Sequence, residues 1–259
     1  MPLITFLSDF GLTDHYTAAV KASILAGNPS LQVIDISHEI SNFNIAHASF
    51  VLRSVYRDFP ENTVHLIGVG ASSSQQDCIA VYLDKHFFVG PDNGIISLLS
   101  DSEPETIVRL ARGRDNCFIA REVLGPVAGA LARGQKIEGM GQVVGQMERK
   151  IPRHLKANRR LISGNVIHVD HYGNAITNID RFTFEVLSKD VDFEVTFGRE
   201  HFMEVHNSYD DVELGECALF FNSQQLLEIS INQGSARELL GLDYDSAVKV
   251  FFEQSPGKK

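Results

Sequence analysis

The chain has little cysteine. Its three cysteines, Cys78, Cys117 and Cys217, stand far apart and in no CxxC or Cys/His spacing. Neither a disulfide framework nor a zinc site is expected, and the three read as reduced, mostly buried thiols. An excess of positive charge is also missing: 23 Lys and Arg face 33 Asp and Glu, a formal net charge of −10. A general nucleic-acid binder needs a basic face to displace counterions, so that class is excluded, and no polybasic membrane anchor is present. No apolar run approaches the length that spans a bilayer. The opening "MPLITFLSDFG" has no basic segment and no apolar stretch of signal-peptide length before Asp9, so a cytoplasmic location is expected. There is no internal repeat and no low-complexity segment.

What is there fits an ordinary globular protein: 259 residues, 44% hydrophobic and 22% charged, enough for one large core or two unequal domains. "LITFLS" and "TVHLIGV" read as buried strands, and "LQVIDIS", "CIAVYLD" and "HFFVGP" as further strands. Between and after them, three stretches read as helices. "TDHYTAAVKASILAG" has Thr13 or Asp14 as cap, Ala18, Val20, Ile24 and Leu25 as apolar face, and Gly27 as stop. "NIAHASFVLRSVYRDF" ends before Pro60, and "GPVAGALARGQ" is rich in small residues. This alternation predicts an α/β domain over 1–150 with a mostly parallel sheet covered on both faces. The basic, polar stretch 145–160, with Pro152, reads as a linker. Beyond it, over 160–259, come short strands and turns, with only "GSARELLGL" helical in character. That predicts a smaller, antiparallel β-barrel-like domain.

Five polar clusters sit at strand ends. In "SDFG", Asp9 can accept two hydrogen bonds from a ribose diol, or serve as an Asx turn or helix cap. In "DISHEI", Ser37 and His38 either do chemistry or satisfy loop backbone, and a metal set of Asp14, His15, Asp35 and His38 lacks diagnostic spacing. "GPDNG" is turn chemistry first. In "VDHYGNAITNI", Gly173 lets Asp170, Tyr172 and Asn174 converge, a set suited to an amino-acid head or a base, while a plain hairpin explains the same residues. In "FFNSQQLLEI", Asn222, Ser223 and Gln224 interrupt two apolar strands as a β-turn does. A sixth stretch, "GVGASSSQQD" from Gly68 to Asp77, ends the third strand without the GxxxxGK[ST] pattern of a phosphate loop.

Taken in order, "FLSDFGLTDHYTAAVKASIL", "VIDISHEI", "FPENTVHLIGV", "FFVGPDNGIISLL", "FIAREVLGPVAGALARG", "HVDHYGNAITNI" and "NSQQLLEISINQGSA" resemble the S-adenosyl-L-methionine hydroxide adenosyltransferase family over nearly the whole chain. That family is also called the adenosine-forming S-adenosyl-L-methionine hydrolases and includes the fluorinases and chlorinases. The resemblance implies an N-terminal α/β domain, a C-terminal barrel-like domain, and a homotrimer with sites between subunits. It also implies displacement of methionine from C5′ of the ribose by water, hydroxide or halide, with S-adenosyl-L-methionine as substrate or ligand and no cofactor or metal. It puts Asp9 on the ribose hydroxyls, Asp170 on the methionine ammonium, and Tyr172 beside the ligand. Asn174 reads the adenine, Ser223 lies near the methionine carboxylate, and Ala236 meets adenine through its backbone. Phe118 and Tyr209 complete the substrate-binding set.

The departures concern the nucleophile. Hydrolases of the family carry an Asp-Pro-Gly turn, an arginine and a histidine that together activate water. Here "GVGASSSQQD" and Ile119 stand in their places, and Ala120 stands where halogenases use a serine. Gln224 replaces an arginine, which implies weaker carboxylate binding, since a bidentate charged contact becomes a neutral one. The resemblance therefore implies a nucleoside-binding protein with hydrolysis weak or lost, beside two alternatives: an active hydrolase or halogenase with a compensated site, and a ligand-free oligomeric scaffold. Candidate replacement groups for the nucleophile are Ser72, Ser73 and Ser74 as a donor nest, with Asp77 or His38 as base.

Overall fold

Leu3–Leu7 forms strand β1 because four of its five side chains are buried, which a strand achieves only with cover on both faces. The computed structural model describes residues 3–71, 76–111 and 117–253, and the chain divides into units Met1–Ile151 and Pro152–Lys259. In the first unit β1 is followed by α1 (Tyr16–Leu25), β2 (Gln32–Ser37), α2 (Ile45–Arg53) and β3 (Val64–Ile67). Then come β4 (Cys78–Leu83), β5 (His86–Pro91), β6 (Thr106–Leu110), α3 (Gly125–Ala132) and β7 (Gly141–Val144). The sheet order is β2-β1-β3-β5-β4-β6-β7. It is parallel from β2 to β5 and antiparallel from there on. The change of direction comes from a two-residue hairpin in which Asp84 (φ 48°) and Lys85 (φ 64°) both take positive φ, the conformation that matches strand twist. One face packs Ile4, Phe6 and Val89 against Val20, Ile24, Leu124 and Ala128 of the α1 and α3 side. The other packs Leu7, Ile67 and Phe88 against Ala48, Leu52 and Tyr56.

The helices differ in detail from the sequence expectation. Neither Thr13 nor Asp14 caps α1: its N-cap is His15, whose side chain makes no cap hydrogen bond. Its buried residues are Thr17, Val20 and Ile24, one face at helical spacing, while Ala18 is exposed. The second helix stops at Arg53, and a 3-10 turn at Tyr56–Asp58 finishes the segment. Asn44 caps it by accepting the His47 N–H at 3.0 Å. A π-helical turn, Ala120–Leu124, leads into α3. Part of the expected linker is structured: β8 (Lys156–Asn158) pairs with the following strand, and the Glu148 N–H donates to Asp92 at 2.8 Å.

The second unit continues with β9 (Leu161–Val169), β10 (Ala175–Asp180), α4 (Arg181–Ser188), β11 (Asp192–Phe197) and β12 (Glu200–Phe202). It ends with β13 (Cys217–Phe221), β14 (Leu226–Ile231), α5 (Ala236–Leu240) and β15 (Ala247–Glu253). All pairings are antiparallel, in the order β12-β11-β15-β9-β10-β14-β13. The nine-residue β9 pairs with β15 through its first half and β10 through its second, so this strand carries the curl of the sheet. Helix α4 was not expected; Asp180 nucleates it, accepting the Thr183 N–H at 2.8 Å. Among the described residues no helix is long and apolar enough to cross a membrane.

Beneath α2 lies a buried polar line: Thr5 Oγ1 hydrogen-bonds His65 Nδ1 at 2.7 Å, and His65 Nε2 meets His86 Nδ1 at 3.1 Å. Burial, and secondarily His86, push the His65 pKa down from 6.5 to about 3. Its folded pKa is depressed, so the unfolded chain binds the extra proton first, and stability is lost as pH falls from 6.5 towards 3. The slope approaches about 1.4 kcal/mol per pH unit well below 6.5. Urea unfolding at pH 7 and pH 5.5 should show a loss of about 1 kcal/mol that is largely absent from His65→Gln. Equal pH dependence in the two proteins would refute the assignment.

Candidate functional site

In the first unit the polar clusters gather at the carboxyl ends of the parallel strands, where α/β sheets bind ligands. Asp9 follows β1, and its Oδ2 accepts the Phe43 N–H at 2.9 Å and the Gly70 N–H at 3.3 Å. The carboxylate thereby ties the loop after β2 to the loop after β3. No described residue bonds Oδ1, so acceptor capacity remains for a hydroxyl pair. Gly68 is closely packed: a Cβ there would lie 3.1 Å from Ser8 Cβ and 3.2 Å from the Phe10 ring, so a larger residue requires those neighbours to give by a few tenths of an ångström. Asn93 of "GPDNG" is buried and donates to the Val69 carbonyl at 3.1 Å; the turn chemistry therefore braces the neighbouring loop. Phe118 packs edge-on against Phe10 (5.8 Å) and Tyr16 (5.5 Å), forming an aromatic wall beside Asp9.

Behind Asp9 runs a line of polar groups, buried at Ser8 and His38 and reaching the partly exposed Asp35 and Lys21. Ser8 Oγ hydrogen-bonds His38 Nδ1 at 2.7 Å, and His38 Nε2 lies 3.1 Å from Asp35 Oδ1. That second contact is out of hydrogen-bonding alignment, which leaves Nε2 as the one sealed side-chain polar atom without a bond among the described residues. Lys21 Nζ donates to Asp35 at 2.6 Å. Burial works to raise the Asp35 pKa, but Lys21 and His38 outweigh it and hold the carboxyl below its ordinary value. With Ser8 fully buried, this Ser–His–Asp line has no open nucleophile. It anchors the turn that carries Asp9, and Ser37 only accepts the Glu39 N–H at 3.1 Å. Among the described residues no group of three or more His, Cys, Asp or Glu could hold a metal.

Of the groups considered for the nucleophile, Ser72, Ser73 and Ser74 lie outside the described residues. Asp77 begins the path into β4 and forms an ion pair with Arg109 at 2.8 Å, both about half exposed. Ile119 is 3% exposed and Ala120 fully buried, both within the apolar cluster on the α1 and α3 side.

In the second unit the hairpin between β9 and β10 brings its residues together. Gly173 has φ 85°, a Cβ there would sit 2.1 Å from Ser235 Oγ, and its carbonyl accepts the Arg237 N–H at 2.9 Å. That close approach seats the start of α5, and Ala236, against the hairpin. Asp170 Oδ1 accepts the Asn174 backbone N–H at 2.9 Å and Oδ2 accepts the Asn174 amide at 3.0 Å. Tyr172 is exposed. Tyr209 packs edge-on to Phe220 at 4.6 Å, and its hydroxyl lies 3.4 Å from the Asn174 amide nitrogen. Ser223 and Gln224 are exposed at the β13–β14 turn. Asn222 closes this turn, as its Oδ1 accepts from the N–H groups of Gln224 and Leu226.

Two residues and one pairing escaped the sequence reading. Glu228 is a buried carboxylate that accepts from Tyr209 (2.7 Å), Asn222 (3.0 Å) and Ser230 (3.1 Å). Burial, followed by Glu228, pushes the Tyr209 phenol well above its ordinary pKa, so it stays a donor. The signal was present: one acid inside "LLEISIN", a strand buried on both faces. Phe43 holds positive φ (60°) and an exposed ring next to Asp9, and nothing in "SNFNIAH" announces that. The Ser8–His38 pair was legible only from the adjacency of two parallel strand ends.

The comparisons agree with this architecture. The model of the S-adenosyl-L-methionine hydroxide adenosyltransferase N-terminal domain matches residues 4–141, and that of the C-terminal domain matches 164–249. The chain is 30% identical to an (R)-S-adenosyl-L-methionine hydrolase of Thermus thermophilus, over 95% of this chain and 98% of that one. A fluorinase of Nocardia brasiliensis is 26% identical over 72% of this chain and 74% of its own. The crystal structure of an uncharacterized conserved protein from Thermotoga maritima superposes with a TM-score of 0.88 at 31% identity, covering 96% of this chain and 99% of that one. On two matched domain models and relatives aligned almost end to end, this chain belongs to the S-adenosyl-L-methionine hydroxide adenosyltransferase family.

Proposed function

We propose that this protein binds S-adenosyl-L-methionine or adenosine in the cytoplasm, and that its hydrolysis of the ligand is weak or lost. It acts as a homotrimer in which the Asp9 set of one subunit and the Asp170 set of its neighbour serve one ligand. Asp9 takes the ribose hydroxyls, Asp170 the ammonium and Asn174 the base. Phe118, Tyr172 and Tyr209 flank the ligand, Ser223 meets the carboxylate, and Ala236 offers its backbone.

The observation that carries this reading is the contrast between kept acceptors and an apolar Ile119. Asp9 retains an oxygen without a partner among the described residues, and Asp170 and Asn174 are held in register by hydrogen bonds. Ile119, in the place of the water-activating histidine, is sealed in an apolar cluster. The sulfonium is already a good leaving group, so the protein needs mainly to align the ligand and to strip and orient the nucleophile. Without a group to take the water's proton, general-base assistance of about 10²–10⁴-fold is missing.

A second reading has one observation in its favour. Asp77 and Arg109 form an ion pair at the same sheet edge as Asp9, and they are two of the three residue types missing from the activating set. On that reading the enzyme is active through a compensated site.

Two measurements test these readings. Calorimetry should show binding of adenosine or S-adenosyl-L-methionine that weakens by tenfold or more in Asp9→Ala, the loss expected for hydrogen bonds to a charged group. No binding of either ligand at millimolar concentration sinks the proposal. Incubation with S-adenosyl-L-methionine, with and without chloride, should release no more adenosine, chloro-adenosine or methionine than a protein-free control. Sustained turnover that disappears in Asp77→Asn establishes the second reading instead.

A further inference from the structure

Glu228 is 5% exposed and has no cationic partner among the described residues; its three contacts are the neutral donors of Tyr209, Ser230 and Asn222. A buried carboxylate is tolerated only when its lone pairs are met by donors. As an acceptor without a hydrogen to give, it also dictates how those donors point. Asn222 is already oriented, since its Oδ1 accepts two backbone N–H groups and its amide nitrogen must therefore face Glu228. Tyr209 has one hydrogen and spends it on Glu228 at 2.7 Å. Its oxygen is left as an acceptor, and the group beside it is the Asn174 amide nitrogen at 3.4 Å. The second hydrogen of that nitrogen goes to Asp170 Oδ2 at 3.0 Å.

Both Asn174 amide hydrogens are thus spoken for, one by a carboxylate directly and one by a carboxylate acting through a phenol. The amide cannot flip without setting its carbonyl oxygen against Asp170 and against the Tyr209 oxygen. What it can offer a ligand is Oδ1 alone, and that atom has no partner among the described residues. The only sealed polar atom lacking a bond among them is His38 Nε2. Asn174 Oδ1 is therefore open to a ligand, although the residue as a whole is 4% exposed.

We propose that Glu228, acting through Tyr209, is a specificity-determining positioning residue: it holds Asn174 as a pure acceptor, so that the site selects a 6-amino purine over a 6-oxo purine. This rests on the reading that Asn174 meets the base of a nucleoside. A 6-amino group donates to the Asn174 carbonyl. A 6-oxo group sets acceptor against acceptor and leaves both unpaired, which costs more than the loss of one good contact. Glu228→Gln upsets the line, because one arm of the new amide is a donor that must face either the Asn222 amide or the Tyr209 and Ser230 hydroxyls. Tyr209→Phe removes the acceptor beside Asn174 while keeping the ring against Phe220.

The test is calorimetric titration of the full chain with adenosine, inosine and unsubstituted purine riboside, with thermal melting to establish that each variant is folded. The wild-type protein should bind adenosine tenfold or more tighter than inosine, with purine riboside between them. The adenosine-to-inosine ratio should fall at least threefold in Glu228→Gln and in Tyr209→Phe. A merely structural role would weaken both nucleosides together and leave the ratio alone. If Glu228→Gln does not fold, Tyr209→Phe decides by itself. Equal binding of adenosine and inosine by the wild type, or an unchanged ratio in a folded variant, overturns this inference and leaves the nucleoside reading intact. No adenosine binding by the wild type overturns both.

Discussion

The carboxyl edge of the first sheet depends on a single oxygen, Asp9 Oδ2, which holds the backbone N–H groups of Phe43 and Gly70. Three chain segments meet there: the turn after β1, the loop after β2 and the loop after β3. Each leaves a strand of the sheet, so each arrives with backbone groups that need partners. An acid at position 9 supplies them locally and keeps a second oxygen in reserve. The arrangement also explains a local strain. Phe43 takes a positive φ, which costs a bulky residue energy, and the hydrogen bond its N–H donates to Asp9 is the visible compensation. The Ser8–His38–Asp35–Lys21 line, buried at Ser8 and His38, fixes the turn from behind.

The second unit solves a similar problem by a different route. Among the described residues no Lys or Arg reaches Glu228, and its partners there are oriented neutral dipoles. Such a network is sensitive, because each donor's direction follows from its neighbour's. The same network ties the β13–β14 turn, through Asn222, to the β9–β10 hairpin, through Tyr209 and Asn174. Two turns far apart in sequence thereby share one set of hydrogen bonds. Gly173 adds a third element, since its missing Cβ lets the start of α5 close on the hairpin.

Much of this was legible in the residues, and the reasons for the rest are physical. Buried strands announce themselves by continuous apolar runs, and β1, β3, β4 and β5 fall where "LITFLS", "TVHLIGV", "CIAVYLD" and "HFFVGP" put them. The direction of β4 was hidden, because Asp84-Lys85 lacks the glycine that usually marks a tight hairpin, and the positive φ values are borne by ordinary residues. Helix α4 was hidden because "RFTFEVLS" carries β-branched and aromatic residues; the Asp180 cap and the burial of Phe184 override that propensity. At the site, single residues in polar clusters were visible. Pairings such as Ser8 with His38 and Tyr209 with Glu228 depend on which strands become neighbours, and spacing along the chain does not encode that. The resemblance to a family supplied the roles. The geometry supplied the direction of each hydrogen bond.

That direction bears on how binding and chemistry can part company in one fold. The groups proposed to hold the ligand lie on strand ends and hairpins, where buried strands and shared hydrogen bonds fix the backbone. Asp9, Asp170 and Asn174 are bonded into their own loops, so exchanging any of them disturbs loop closure whether or not a reaction follows. Residue 119 is different. Its side chain sits in an apolar cluster with Ile4, Phe6 and Val123, where isoleucine is a better occupant than histidine, which loses hydration there. On the proposed reading, an apolar residue at that position suits the core and leaves the proposed ligand contacts untouched. On the proposed reading, groups that hold the ligand also close the loops, so binding is tied to the architecture in a way that activation of the nucleophile is not.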